Sequence, residues 1–308
     1  MAAPEGPLAP STATIVLNPV SGGGGDRAAW LGALFDAAGM PVGIIETRPG
    51  RNARDAARIA LARGARTLVA AGGDGTASDV ADALCAASRT ARLGVLPLGT
   101  FNHFARGMGL PLDTEAAVAT IARGTTRRIR PGQVNGRTFL NNMSLGLYPE
   151  ILARREGLYA ALGRSRAAAY LSVARALAQR QRPMHLSVGL DGRARRLRTP
   201  LLFVAASAHQ LETRDLDGAS AVRAGAFAVF AARGHRRRDL ARTAFHLALG
   251  AARPGRDFAL STARRITVAT GRRRTLVARD GEREWMRTPL RIGPAQRALD
   301  VIVPGMQG

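Results

Sequence analysis

Lysine is absent from the 308 residues, so all 45 basic side chains are arginine. Cysteine occurs once, as Cys85, which excludes a disulfide framework and fits a reducing cytoplasm. It stands in a helical apolar pattern and reads as buried packing. Three tyrosines and two tryptophans are thin material for base-stacking platforms, which counts against a nucleic-acid reader. Charge-free apolar stretches such as Thr199–Leu211 fall short of the roughly 20 residues needed to cross a bilayer, so membrane contact is expected to be peripheral. The start of the chain lacks a basic segment followed by an apolar one. Residues 1–12 are expected to be a disordered tail and not a signal peptide.

What is present supports a core. Apolar residues make up 46% of the chain, and the length suits about two domains. Charge is uneven. Residues 1–130 hold 14 arginines and 10 acids, and residues 131–308 hold 31 arginines and 12 acids. A second half at +19 suggests a polyanionic partner, with an arginine-heavy composition as the plain alternative.

The chain is organised around Gly72-Gly73-Asp74-Gly75-Thr76. An apolar run of strand length, 66–71, precedes it, and a helical pattern, 77–84, follows. Strand, glycine turn and helix aim backbone N–H groups and a helix N-terminus at an anion. Asp74 is the acid inside the turn, placed to reach Mg²⁺ or a hydroxyl beside a phosphate. A second unit of this kind comes earlier. Thr14–Leu17 runs into Asn18-Pro19-Val20-Ser21-Gly22 and further glycines, then a helix from about Asp26. Strands at 42–46, 67–71 and 93–98 alternate with helices at 52–63 and 115–123. This predicts an α/β domain over 13–130 with a mostly parallel sheet and its glycine turns at the strand C-termini. After Leu96-Pro97-Leu98-Gly99, Thr100 and Asn102 add a hydroxyl and an amide at that edge, and His103 follows.

From about Arg130 the rhythm changes. Glu150–Arg182 reads as a basic amphipathic helix, suited to a membrane surface or to packing on its own domain. Strand-like runs at 139–145, 185–190, 201–206, 226–231, 265–269, 275–278, 290–292 and 299–303 predict a β-rich, sandwich-type domain over 131–308. Asp280-Gly281-Glu282 supplies two carboxylates in a turn, which a hairpin explains about as well as a catalytic site does.

Taken together, these motifs resemble the diacylglycerol kinase catalytic family, which includes sphingosine kinases and bacterial lipid kinases. The resembling segments are Asn18–Gly22, Gly72–Thr76, Leu96–Asn102, Phe139–Asn142 with Ser144–Gly146, and Asp280–Glu282, in that order along the chain. The resemblance implies ATP between a nucleotide domain and a lipid domain. It further implies that Asn18, Pro19, Ser21, Gly22, Thr47, Gly72, Gly73, Gly75, Thr76, Asp79, Thr100 and Asn102 line the nucleotide, and that Glu282 is the general base. Glu282 and Asp74 are the expected catalytic residues, with Mg²⁺ accompanying ATP.

Two departures stand out. His103 occupies a place where the family has an acid. Arg223-Ala224-Gly225 stands where the family has Asp-Asp-Gly, so the structural Mg²⁺ site is expected to be lost. Asp215-Leu216-Asp217-Gly218 is a second placement, at the expense of an insertion. The expected partners are a lipid substrate and an anionic membrane surface, with no nucleic acid and a homodimer left open. The expected location is cytoplasmic and peripheral to the membrane. Two other readings remain: a degenerate member that binds nucleotide or lipid without catalysis, and an NAD kinase.

Overall fold

The computed structural model describes residues 13–21, 26–146, 183–213, 215–234, 239, 242 and 253–305. The expected tail, the expected helix at 150–182 and Gly22 lie outside the described residues. The chain divides into two units: residues 1–131 with 295–308, and residues 132–294.

The first unit alternates strands and helices: β1 (Ala13–Leu17), α1 (Arg27–Ala37), β2 (Gly43–Glu46), α2 (Ala53–Ala62), β3 (Thr67–Gly72), α3 (Asp74–Ala86) and β4 (Arg92–Pro97). There follow α4 (His103–Gly107), α5 (Thr114–Arg123) and β5 (Thr125–Ile129). The helices start where short polar side chains cap them. Asn52 Oδ1 accepts from the Asp55 amide at 2.9 Å, and Asp113 accepts from the Ala116 amide at 2.9 Å. In α2, Ala53, Ala56, Ala57 and Ala60 form one buried stripe at helical spacing. α1 packs near α5, and α2 against α3.

The sheet order is β2-β1-β3-β4-β18-β5, where β18 (Leu299–Val303) is the last strand of the chain. β2, β1, β3, β4 and β18 pair in parallel, and β5 runs antiparallel to β18. The polypeptide steps outward from β1 to β2, then back across β1 to β3. That reversal makes the C-terminal ends of β1 and β3 the switch point of the sheet, where such folds leave a crevice.

This corrects the expected division of the chain. Leu299–Val303 falls within the expected second domain, yet it is an interior strand of the first sheet. Its apolar run, with Leu299, Val301, Ile302 and Val303 all buried, is what a strand covered on both faces requires.

The second unit is antiparallel. One sheet has the order β10-β9-β14-β17-β6-β7, made from β6 (Gly132–Val134), β7 (Arg137–Phe139), β9 (Met184–Leu190), β10 (Arg193–Thr199), β14 (Ile266–Ala269) and β17 (Leu290–Pro294). The other has the order β13-β12-β11-β8-β15-β16. It is made from β8 (Asn142–Gly146), β11 (Leu201–Ala205), β12 (Phe227–Ala232), β13 (Phe258–Ala263), β15 (Arg274–Arg279) and β16 (Glu282–Arg287). Alternate residues of both sheets meet in one core. Val134, Phe139, Leu186, Val188, Ile266 and Leu290 come from the first sheet, and Met143, Leu145, Leu202, Val204, Val277 and Met286 from the second. The architecture is therefore the expected one: a mostly parallel α/β unit and a β-rich sandwich unit.

Candidate active site

In the first unit, three loops gather at the C-terminal edge of the parallel sheet. Asn18 follows β1, and its amide donates to the Ala71 carbonyl at 2.9 Å. Its side chain bridges onward: Oδ1 accepts from the Val20 amide at 3.2 Å, and Nδ2 lies 3.5 Å from Thr76 Oγ1. The Ser21 amide closes the turn on the Asn18 carbonyl at 3.0 Å. Pro19 is exposed, whereas Ser21 and Thr76 are buried. Thr47 joins from β2, its amide donating to the Leu17 carbonyl at 2.8 Å.

The glycines of the two principal motifs need each other. A Cβ on Gly99 would sit 2.5 Å from Gly73 Cα and 2.8 Å from Asn102 Oδ1, and one on Gly73 would sit 3.4 Å from Gly99 Cα. A Cβ on Gly72 would strike the Thr76 side chain. The 72–76 and 97–102 loops thus meet backbone to backbone. α3 begins at Gly73 without a side-chain cap, so helix geometry leaves the amides of Gly75 and Thr76 without intrahelical acceptors. That is the local chemistry of an anion site. Asp79 lies one turn further along α3 and is half-buried.

Asp74, one of the two expected catalytic residues, binds the backbone of the next motif. Its Oδ2 accepts from the His103 amide at 3.0 Å and its Oδ1 from the Phe104 amide at 2.8 Å. The carboxylate therefore clamps the first turn of α4 to the glycine turn. Asn102 also turns inward, in a left-handed conformation with φ 51°. Its Oδ1 accepts from the Gly99 amide, and its Nδ2 donates to the Pro97 and Gly99 carbonyls at 2.9 and 2.8 Å. With both amide hydrogens used, Asn102 shapes the loop from within. Thr100 and Phe101 remain exposed at its tip, and the Phe101 ring stacks on His103 with centroids 5.6 Å apart.

In the second unit, Asp280-Gly281 forms the turn between β15 and β16, with φ 47° and 92°. Asp280 is buried and accepts from the amides of Leu140, Asn141 and Asn142 at 2.6, 2.8 and 3.0 Å. Arg279 donates to the Thr138 carbonyl. The Phe139–Asn142 and Asp280–Glu282 motifs are therefore one structure, in which Asp280 is the anchor. Glu282 opens β16 and is exposed. Among the described residues, no hydrogen bond or ion pair engages its carboxylate. Asn142 Nδ2 in turn donates to Gln210 Oε1 at 3.0 Å, a neighbour that no sequence motif signalled.

The 215–225 segment carries arginine chemistry. Arg223 pairs with Glu212, the Ala224 carbonyl accepts from Arg264 at 3.2 Å, and Asp215 pairs with Arg253 at 3.2 Å. A short helix, Ala219–Arg223, separates Asp215–Gly218 from β12, and this is the insertion that the second placement requires. Among the described residues, no group of three or more His, Cys, Asp or Glu side chains is arranged to hold a metal ion.

Comparison of the sequence with known proteins bears on the first of these units. Residues 12–134 match the family described as the diacylglycerol kinase catalytic domain. The Pseudomonas aeruginosa protein named "Probable lipid kinase YegS-like" is 44% identical over 135 residues, which cover 44% of this chain and 43% of that protein. The Bacillus subtilis protein named "Diacylglycerol kinase" is 38% identical over 118 residues, 38% of this chain and 39% of that one. The matched segment thus spans less than half the length of these relatives. A solved diacylglycerol kinase structure from Bacillus anthracis superposes with a TM-score of 0.70, covering 95% of this chain and 97% of that one. At 20% identity, that likeness speaks for the fold.

Proposed function

We propose, proceeding from the match of residues 12–134 to the family described as the diacylglycerol kinase catalytic domain, that the chain is an ATP-dependent lipid kinase. It transfers a γ-phosphate to the hydroxyl of a diacylglycerol-like or sphingosine-like lipid, in the service of phospholipid metabolism. The observation that carries this reading is the close approach of Gly73 and Gly99 beneath the uncapped N-terminus of α3. The two loops pack backbone to backbone there, beside the first turn of α3, whose Gly75 and Thr76 amides have no intrahelical acceptors, which fits the phosphates of a nucleotide. The residues proposed to hold the nucleotide are Asn18, Pro19, Ser21, Gly22, Thr47, Gly72, Gly73, Gly75, Thr76, Asp79 and Thr100. Asn102 and Asp74 act by holding the loops in shape.

Glu282 takes the proton from the lipid hydroxyl as that oxygen attacks phosphorus. A carboxylate with no partner among the described residues, at the end of a hairpin fixed by Asp280, suits that task. Mg²⁺, bound together with ATP, would supply charge neutralisation to the phosphates. The reading includes peripheral contact with an anionic membrane. The test is transfer of label from γ-labelled ATP to extracted bacterial lipid in mixed micelles, with NAD offered in parallel. Labelled lipid supports the proposal. Labelled NADP without labelled lipid assigns the turn to an NAD kinase, and nucleotide binding without transfer assigns it to a non-catalytic member.

A further inference from the structure

The strand that presents Glu282 carries a second feature on its other face. Successive side chains alternate along β16, so Arg283, Trp285 and Arg287 point one way and Glu284 and Met286 the other. Met286 enters the core, and Glu284 pairs with Arg137 at 3.0 Å. The outward set is exposed, and Trp285 keeps 58% of its surface open. Its partners across the ladder are Ala278, Leu276 and Arg274, with Leu276 directly opposite Trp285 and Arg274 opposite Arg287. Arg274 is exposed and donates to the Trp285 carbonyl at 3.4 Å. β16 is an edge strand, so this patch ends the sheet.

We propose that the outer face of the β15–β16 hairpin, Arg274, Leu276, Arg283, Trp285 and Arg287, is the surface that docks on an anionic lipid bilayer. An exposed indole beside an aliphatic side chain is poorly suited to water and well suited to the headgroup–acyl boundary. Three arginines around it, with both acids of the strand turned to the other face, complement an anionic leaflet and reach its phosphates bidentately. The arginine-rich edge formed by β10 differs. β10 carries Arg193, Arg195, Arg196 and Arg198 along another sheet edge, but no exposed aromatic. Arginine alone on an edge is the ordinary defence against strand-to-strand aggregation. Docking through β15–β16 would hold the hairpin that bears Glu282 beside the bilayer, with Glu282 itself on the opposite face of the strand. The proposal rests on the lipid-kinase reading for its purpose, not for its measurement.

The test uses Trp285 as its own reporter. Trp30→Phe leaves Trp285 as the sole tryptophan. Without ATP, its emission is read with phosphatidylcholine vesicles and with vesicles rich in phosphatidylglycerol. The expected result is a blue shift and protection from acrylamide with the anionic vesicles alone, reversed by salt. The added substitutions Arg274→Glu, Arg283→Glu and Arg287→Glu should raise the lipid needed for half-maximal binding by more than about tenfold. Arg196→Glu with Arg198→Glu should have the smaller effect. If the charge-reversed chain does not fold by circular dichroism, the reporter alone decides.

Any of four results overturns the proposal. They are unchanged emission on anionic vesicles, emission already blue and protected before lipid is added, undiminished binding by the charge-reversed chain, and a shift with duplex DNA but not with vesicles. A chain that docks but transfers no phosphate refutes the kinase reading alone. A chain that phosphorylates lipid in micelles but does not dock refutes this proposal alone.

Discussion

Asp74 is the clearest case in which geometry adds a task to a side chain. An acid in a glycine turn suggests catalysis, but both of its oxygens hold the amides of His103 and Phe104. Asp74→Ala strands two half-buried donors, at a cost of about 1–3 kcal/mol in unfolding free energy. Urea unfolding should show the loss, together with weaker ATP binding. A wild-type midpoint would contradict the clamp. Gly99→Ala should act similarly, because the new Cβ must push apart two backbones; overpacking of this kind costs about 1–3 kcal/mol. Nucleotide affinity in Gly99→Ala, measured by calorimetry, should fall with it. Glu282→Gln is the opposite case. It should leave unfolding and the KM for ATP nearly unchanged while kcat drops by about 10²–10⁴. Full turnover in steady-state assays would remove Glu282 from the mechanism. The glycine motifs were legible as phosphate chemistry, but not as partners. The contact between Gly73 and Gly99 exists only once β3 and β4 lie side by side. Which carboxylate of Asp280-Gly281-Glu282 is the anchor was equally hidden, because the answer lies in the backbone of Leu140–Asn142.

At the scale of elements, the alternation of apolar runs with capped helices made the parallel sheet legible up to β4. Two further strands of that sheet were not placed in it. β5, Thr125–Ile129, is largely exposed and has no apolar alternation to announce it. β18 was visible as a strand, yet no local pattern tells which sheet a strand joins. Arg128 and Asp300 stand opposite one another in the β5–β18 ladder and form a bidentate pair, at 2.8 and 3.1 Å. The hydrogen bond from Arg128 holds the Asp300 carboxyl below its ordinary range, against a smaller opposing effect of burial. A carboxyl whose folded pKa is depressed stabilises above its unfolded pKa of about 3.9, and that contribution fades as pH falls through the lower folded value. Asp300→Asn should therefore melt below wild type at neutral pH, with the gap closing in acid. A gap independent of pH would show that the pair does not link β5 to β18 in this way. The pair is exposed on the arginine side, so the neutral-pH gap should be small.

At the scale of the whole molecule, the sequence resemblance extended in order along most of the chain, and the folds of both units agree with it. The uneven charge was also visible, but the placement of Arg283 and Arg287 on one face with Trp285 was not, because that requires knowing which face of β16 turns outward. Among the described residues, no helix is long and apolar enough to cross a membrane. The most direct measurement of the central claim is a radiolabel assay of the wild-type chain with γ-labelled ATP and diacylglycerol in mixed micelles, run beside Glu282→Gln. The account predicts label in chloroform-extractable lipid for the wild type and about 10²–10⁴-fold less in the variant at equal ATP binding. No label in lipid from a folded chain that binds ATP would contradict it.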